Sequence, residues 1–315
     1  MKVVVTGALG HIGSRLIREL PAWRPGCEIV MIDNMSAQRY CSLFDLPKGA
    51  RYRFIEADVT KTDLAPIFDG ADAVFHLAAI TNAAASFEIA KELERNNFQA
   101  TEKVAGACLA AKAPLVYLSS TSVYGTSAKQ IDEDCSPEEL KPQSPYAETK
   151  LKEERLVAEL GAKGLKAVSF RFGTIFGVSP GMRFHTAVNK FCWQTCVGQP
   201  ITVWRTAYDQ LRPYLDLEDA MGAFRFILEK SMFDGGLYNV LTGNYTVRRI
   251  TDEIRGHVPD LKIDFVDAQI MNQLSYEVLD AKFRAKGYAP RGDISRGVAD
   301  TVARLRAAGE GARAT

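Results

Sequence analysis

The stretch KVVVTGALGHIGSRLIREL, residues 2–20, sets the tightest limit on what this chain can fold into. Residues 2–6, KVVVT, form a short apolar β-branched run with no polar alternation, the pattern of a strand buried on both faces. The turn TGALGHIGS follows, with Gly7, Gly10 and Gly13, and His11 and Ile12 between the last two. The pattern then becomes helical. Without Cβ the turn can be tight. A pyrophosphate can then rest against the helix N-terminus, where free N–H groups and the helix dipole favour anions. A second buried strand, EIVMID (28–33), ends in Asp33, twenty residues past Gly13, and Asn34 comes next. A carboxylate there accepts hydrogen bonds from a ribose 2′-hydroxyl and repels a 2′-phosphate. The pattern therefore reads as an NAD site rather than an NADP site, with Arg39 as the nearby residue that would favour the phosphate.

The rhythm continues through residues 52–58, 72–79 and 114–120 as strands, with a long helix over roughly 87–112. A helix from Tyr146 to about Leu160 precedes another strand at 166–172. Strands alternating with helices give right-handed crossovers and a parallel sheet covered on both faces. After Phe172 the order loosens into loop, an aromatic helix around AVNKFCWQTCV and a short strand ITVW, before 214–230 reads as strand then helix. The expected fold is α/β: a doubly wound parallel sheet (Rossmann) with a smaller C-terminal substrate-binding lobe. Residues 1–173 and 214–242 belong to the nucleotide domain, and 174–213 and 243–315 to the lobe.

Lys and Arg total 39 against 38 Asp and Glu, a net charge of +1. That balance gives no global field for nucleic acid or an anionic membrane. An anionic ligand must be met by local charges. No apolar run reaches the length of a membrane span, and the N-terminus lacks the apolar region and cleavage site of a signal peptide. The chain reads as cytoplasmic. Its six cysteines (27, 41, 108, 135, 192, 196) contain no CxxC, and its four histidines show no ligand spacing, so no metal site is expected.

One further stretch raises a chemical question. SPYAETK, 144–150, places Tyr146 four residues before Lys150 on one helix face, just after a proline suited to a helix start. Alone, such a pair is ordinary. The rest of the chain gives it meaning.

TGALGHIG, DN at 33–34, ADVT at 57–60, HLAA at 76–79, NNFQAT at 96–101, SSTSVYG at 119–125 and SPYAETK come in order. RFGTIFG at 171–177, QLRPYLDLEDA at 210–220 and YNVLTG at 238–243 follow. Nearly end to end, the chain resembles the extended short-chain dehydrogenase/reductases, the group that includes NAD-dependent nucleotide-sugar epimerases and dehydratases. The resemblance implies that Tyr146 and Lys150 are catalytic. A phenol with a pKa near ~10 is a poor base at neutral pH. A neighbouring ammonium and a positive nicotinamide ring favour its phenolate. Lys150 would also hold the nicotinamide ribose, and Ser120 would orient the reacting oxygen. Asp58, with Val59 beside it, would meet the adenine amino group. Leu77, Ala78 and Ala79 would line the nicotinamide ribose, while His76 reads as structural. Asn97 matches a helix asparagine at the edge of the cofactor site that bridges toward the strand-five loop.

For the substrate, a nucleotide diphosphate sugar, the resemblance points to Ser86, Thr121, Thr174, Arg205 and Arg212, the arginines as phosphate partners. Two departures stand out. Thr174 replaces a substrate-contacting asparagine, and SPGMRFHTAVNKFCWQ is not the usual family segment, so His185 and Asn189 are expected to shape the pocket and Trp193 to pack in the core. Relatives that dehydrate carry Asp and Glu where this chain has Thr121 and Ser122, and a hydroxyl does not readily replace a carboxylate base. A 4-epimerase acting through a 4-keto sugar leads. A net dehydrogenase or reductase, a dehydratase or decarboxylase, and a non-catalytic NAD-binding regulator follow. Relatives often pair through the helices after Asn96 and Tyr146, so a homodimer is expected.

Overall fold

The computed structural model describes residues 1–81, 90–124, 129–267 and 276–306. The first part runs β1 (Lys2–Thr6), α1 (His11–Trp23), β2 (Glu28–Asp33), β3 (Arg51–Glu56), the one-turn α2 (Ala65–Phe68), β4 (Ala73–His76) and α3 (Ala90–Ala111). It continues with β5 (Leu115–Ser120), β6 (Gln130–Ile131), α4 (Pro145–Ala162) and β7 (Ala167–Phe172). Then come β8 (Thr174–Phe176), α5 (Ala187–Cys196), β9 (Ile201–Trp204), β10 (Arg212–Asp216), α6 (Leu217–Lys230), β11 (Leu237–Val240) and β12 (Gly243–Tyr245). The chain closes with α7 (Val247–His257), β13 (Ile263–Val266), β14 (Glu277–Val278), α8 (Ala281–Ala285) and α9 (Ile294–Arg306).

Seven strands form one sheet in the order β11-β7-β5-β4-β1-β2-β3, with every pairing parallel. This is the doubly wound α/β architecture expected from the alternating pattern. The chain moves from β1 outward to β3, then returns to the other side of β1 for β4. A crevice opens at such a reversal, outside the carboxyl ends of the strands. Val3, Val4 and Val5 are fully buried, as their unalternated run requires. On one face Leu16, Ile17 and Leu20 of α1 pack with Phe75, Phe170 and Phe224, the Phe75 and Phe224 rings meeting edge to face at 5.1 Å. On the other face Val104 and Cys108 of α3 cover Leu115 and Tyr117. Each buried phenylalanine contributes about 1.5–3 kcal/mol.

The smaller lobe has its own core, in which Phe176, Val188, Phe191, Ile250, Ile254 and Val298 meet. Here the sequence-based division differs from the strand pairing. β10 bonds β8 and β12 in a separate three-stranded sheet, while β11 supplies the outermost strand of the large one. The chain leaves β7 at Gly173, where an added Cβ would lie 3.1 Å from the Pro213 backbone. β8, which follows directly, pairs with β10 outside the main sheet. Phe283 and Tyr288, from the segment assigned to the lobe, pack into the core of the main sheet.

Candidate active site

The glycine turn is held by geometry that only small residues permit. Gly7 has φ +67°, and a Cβ there would lie 2.6 Å from Ala78 N; at Gly13 it would lie 2.4 Å from Gly7 O. The turn thus packs directly on the Leu77–Ala79 loop, which begins because β4 stops at His76 rather than running to 79. Asp33, at the end of β2, accepts hydrogen bonds from Leu9 N and Met35 N, each at 3.0 Å. Asn34 beside it is exposed and accepts from Ser36 N. Asp58 accepts from the Thr60 amide and hydroxyl and pairs with Lys61 at 3.3 Å, while Val59 is buried in the core. A turn with no room for side chains at Gly7 and Gly13, opening α1 beside a β2 carboxylate, suits a dinucleotide pyrophosphate and ribose.

The side chains of two residues expected at the cofactor site bond within the protein. His11 donates from Nε2 to Gly177 O at 2.9 Å, and burial among cations, Arg183 foremost, pushes its pKa down to about 3. It is a neutral tie between the turn and the lobe. Asn97 bonds the backbone just after β4. Its side chain donates to Ile80 O at 2.9 Å and accepts from Ile80 N at 2.8 Å. The backbone leaving β4 has lost its ladder partners there, and a side-chain amide supplies both.

The opening pair is placed by a helix cap. Ser144 Oγ accepts from Ala147 N at 3.2 Å, and Pro145 fits the first helical position. Tyr146 follows immediately, and Lys150 lies one turn on, almost fully buried. Lys150 Nζ donates to Leu118 O at 3.0 Å and to Glu153 Oε2 at 2.9 Å, and lies over the rings of Tyr117 and Tyr146 at 5.1 and 6.0 Å. Burial alone would lower its pKa, but Glu153, with Tyr146, raises it overall. The ammonium form is therefore held. Ser120, ending β5, accepts from Ser122 N at 3.2 Å and from Ser122 Oγ at 2.9 Å.

Ser120, Tyr146 and Lys150 line a single cavity of about 620 Å³ at the carboxyl ends of the strands, with Ile12, Leu77, Ala79, Thr121 and Thr174. Arg212 lines its far side, its guanidinium 5.4 Å from the Tyr276 ring. Two expected substrate contacts, Arg205 and Asn189, are not among the cavity's lining residues. Arg205 lies at the surface against Asp267 and the Phe265 ring, at the start of a one-turn 3-10 helix, Arg205–Ala207, that follows β9. Asn189 is fully buried, accepting from Gly177 N and donating to Arg183 O, so it braces the unusual segment. Ser86 lies outside the described residues. Trp193 is 43% exposed against Phe184 rather than in the core.

One residue that sequence reasoning passed over enters the cavity. Arg183 donates to Thr81 Oγ1 at 2.6 Å, and its buried Nε has no partner among the described residues. Burial pulls its pKa down, and Tyr146 opposes that. The available signal was an arginine inside the segment that departs from the family pattern. His185 and Lys190 also line the cavity, and no Asp or Glu does among the described residues.

Similarity to known proteins bears on this arrangement. Residues 3–240 match the family model described as NAD dependent epimerase/dehydratase family. An uncharacterized UDP-glucose epimerase of Bacillus subtilis, YtcB, is 30% identical over 249 residues, covering 76% of each chain. A trifunctional UDP-glucose 4,6-dehydratase/UDP-4-keto-6-deoxy-D-glucose 3,5-epimerase/UDP-4-keto-L-rhamnose-reductase of Arabidopsis thaliana is 28% identical over 327 residues. That alignment takes in 95% of this chain but only 46% of the relative, so the chain spans about half of that protein's length. The solved structure of MoeE5 with UDP-glucose and NAD superposes with a TM-score of 0.84 at 29% identity, covering 98% of this chain and 99% of that one. The glycine cradle, the Ser120–Tyr146–Lys150 cluster and the doubly wound sheet agree with the match: the chain belongs to the NAD-dependent epimerase/dehydratase family.

Proposed function

We propose that the chain is a nucleotide-sugar 4-epimerase acting through a 4-keto sugar. The observation that carries this reading is the make-up of the cavity. It gathers Ser120, Tyr146 and Lys150 with the cations Arg183, Lys190 and Arg212, and among its described lining residues there is no carboxylate. The cations suit the diphosphate of a nucleotide sugar. The missing carboxylate disfavours elimination of water, which needs an acid–base group to take the C5 proton and protonate the leaving oxygen. Thr121 and Ser122, where dehydrating relatives carry acids, spend their hydroxyls on Phe172 O and Ser120 Oγ.

The bound NAD would lie along Gly7–Gly13, Asp33 and Leu77–Ala79 and would supply a reversible hydride acceptor. Tyr146 takes the proton of the sugar C4 hydroxyl and later returns it. Ser120 hydrogen-bonds that oxygen and orients it. Lys150 holds a positive charge under the Tyr146 ring and keeps a third N–H for a ribose hydroxyl. Arg183 and Arg212 bind the anionic substrate, and the cavity leaves room for the keto sugar to turn over. A cytoplasmic homodimer belongs to this reading. No helix of the described residues is long and apolar enough to cross a membrane.

The test is to incubate UDP-glucose with the protein in D₂O and follow it by proton NMR. Inversion at C4 with no deuterium at C5 supports the epimerase. A 4-keto-6-deoxy product carrying solvent deuterium would replace this reading with a dehydratase. Stoichiometric keto sugar with rising NADH absorbance would replace it with a net dehydrogenase.

A further inference from the structure

Glu153 is fully buried at the centre of the molecule, three residues after Lys150 on the same face of α4. Its Oε2 accepts three hydrogen bonds: Lys150 Nζ at 2.9 Å, Tyr117 OH at 2.9 Å and Thr101 Oγ1 at 2.7 Å. Oε1 has no partner among the described residues. Thr101 has one hydroxyl proton, given to Glu153, so it can only accept from His76 Nε2 at 3.2 Å. That fixes the His76 tautomer with hydrogen on Nε2, leaving Nδ1 to accept from Thr6 Oγ1 at 2.8 Å. Burial pushes His76 down to about 3, so it stays neutral and this ordering holds. Every donor in the chain from Thr6, at the edge of the glycine turn, points toward one carboxylate, whose charge is matched by the lysine of the active site.

Such an arrangement is a poor way to gain stability. A buried ion pair with an unsatisfied oxygen is often matched or bettered by apolar residues of similar volume. Its effect is on Lys150 instead. Two of the three Nζ hydrogens are committed, to Leu118 O and Glu153, and the ammonium is thereby fixed beside Tyr146.

We infer that Glu153 is a positioning residue of the active site, which keeps the Lys150 ammonium charged and aimed while Thr101, Tyr117 and the His76 relay hold the carboxylate in place. The inference rests on the proposed function only in giving Lys150 its task. Other charged or titratable groups facing the pair are Tyr146 on α4 itself, Glu154 paired with Arg171 of β7, Tyr117 of β5 and His76 of β4. Arg183 of the segment after β8 faces Tyr146. α3 offers the Thr101 hydroxyl.

The test compares Glu153→Gln, Glu153→Asp and the wild type across pH, by NAD⁺ affinity from calorimetry and by turnover of UDP-glucose. Glu153→Gln keeps the shape but removes the charge, so burial then governs Lys150 and it loses its proton earlier. The alkaline limb of both readouts should move down by about 1–2 pH units, with near wild-type NAD⁺ affinity at neutral pH. Glu153→Asp, which keeps the charge, should restore the wild-type shape. Profiles of Glu153→Gln that run parallel to the wild type at every pH would overturn the inference. If Glu153→Gln does not fold, thermal melting of Lys150→Met and of Lys150→Met/Glu153→Leu decides. The double variant should melt at or above the single one, and a lower melting point would mark the pair as structural. A wild type that ignores UDP-glucose would count against the proposed function, while the NAD⁺ profile would still decide the role of Glu153.

Discussion

The three glycines of the first turn should separate stability from cofactor binding when each is replaced by alanine. At Gly7 the φ of +67° costs an alanine about 1–2 kcal/mol, and the new Cβ would meet Ala78 N at 2.6 Å and Leu77 C at 2.7 Å. Those are backbone atoms and cannot rotate away. Overpacking of this kind adds about 1–3 kcal/mol, for a total near 2–5 kcal/mol. At Gly13 the Cβ would lie 2.4 Å from Gly7 O. The same overpacking cost is partly offset by about 1 kcal/mol from alanine's better helix propensity within α1. At Gly10 the nearest atom is Gly7 O at 3.3 Å, a contact that a small adjustment relieves. Gly10→Ala should therefore melt within about 2 °C of the wild type, whereas Gly7→Ala should fall by several times that, at about 2 °C per kcal/mol for a chain of this size. Yet Gly10 caps α1 where a pyrophosphate would approach, so Gly10→Ala should weaken NAD⁺ binding tenfold or more, roughly 1.4 kcal/mol. Thermal melts without cofactor and calorimetric NAD⁺ titrations supply the two readouts. A Gly10→Ala protein that binds NAD⁺ as the wild type does would refute the placement of the pyrophosphate. One as unstable as Gly7→Ala would refute the geometric argument.

Tyr146→Phe should lose nearly all turnover while still binding NAD⁺; activity within about tenfold of the wild type, ~1.4 kcal/mol of barrier, would remove Tyr146 as the base. The protein should bind NAD⁺ more tightly than NADP⁺ in direct titration, and Asp33→Ser should narrow the gap; a wild type that prefers NADP⁺ would shift attention to Arg39. Glu154→Gln removes half of a bidentate buried pair with Arg171, at 2.9 and 2.7 Å, and should cost about 3–5 kcal/mol in urea unfolding. Asp216 has its pKa pushed up to about 6 by burial, with Asp219 and Glu218 adding to the effect against a bond from Glu218 N. Because the folded state holds that proton more tightly than the unfolded chain, stability falls as pH rises from about 4 to 6. Asp216→Asn, which can still cap α6, should thus be the more stable protein above pH 6 and lose that advantage below about pH 4 in thermal melts.

The parts of this molecule legible in its sequence are those where several local signals agree. The buried run at β1, the glycines after it and Asp33 at the end of β2 each demand the same turn, and Ser144-Pro145 starts α4 where the Tyr146–Lys150 spacing needs it. Partner choice between strands is non-local. β10 (RPYLD) and β11 (LYNV) are both short, and nothing local in either says that β10 joins β8 while β11 joins β7. Polar side chains misled in both directions. Asn189 is expected to shape the pocket because its segment departs from the family pattern, but it is satisfied by Gly177 N and Arg183 O. Glu153 and Glu154 are both buried, paired with Lys150 one turn back on α4 and with Arg171 of β7, contacts that no local signal announced.

The segment that departs from the family pattern is also the one that joins the two halves of the site. Gly181 lies against the first turn so closely that a Cβ there would sit 2.2 Å from Leu9 O. Gly181 N donates to Ser14 Oγ at 2.9 Å, and His11 donates to Gly177 O. Asn189 holds the same segment from the lobe side through Gly177 N and Arg183 O. Arg183 therefore enters the cavity on a strap clamped between the glycine turn and α5. A side chain so placed, with a buried Nε lacking a partner among the described residues, carries a desolvation cost that an anionic substrate group would offset. Since the strap rests on the backbone of the turn, the turn and Arg183 cannot shift independently, and the residues between 177 and 185 link the glycine turn to the Arg183 side of the cavity.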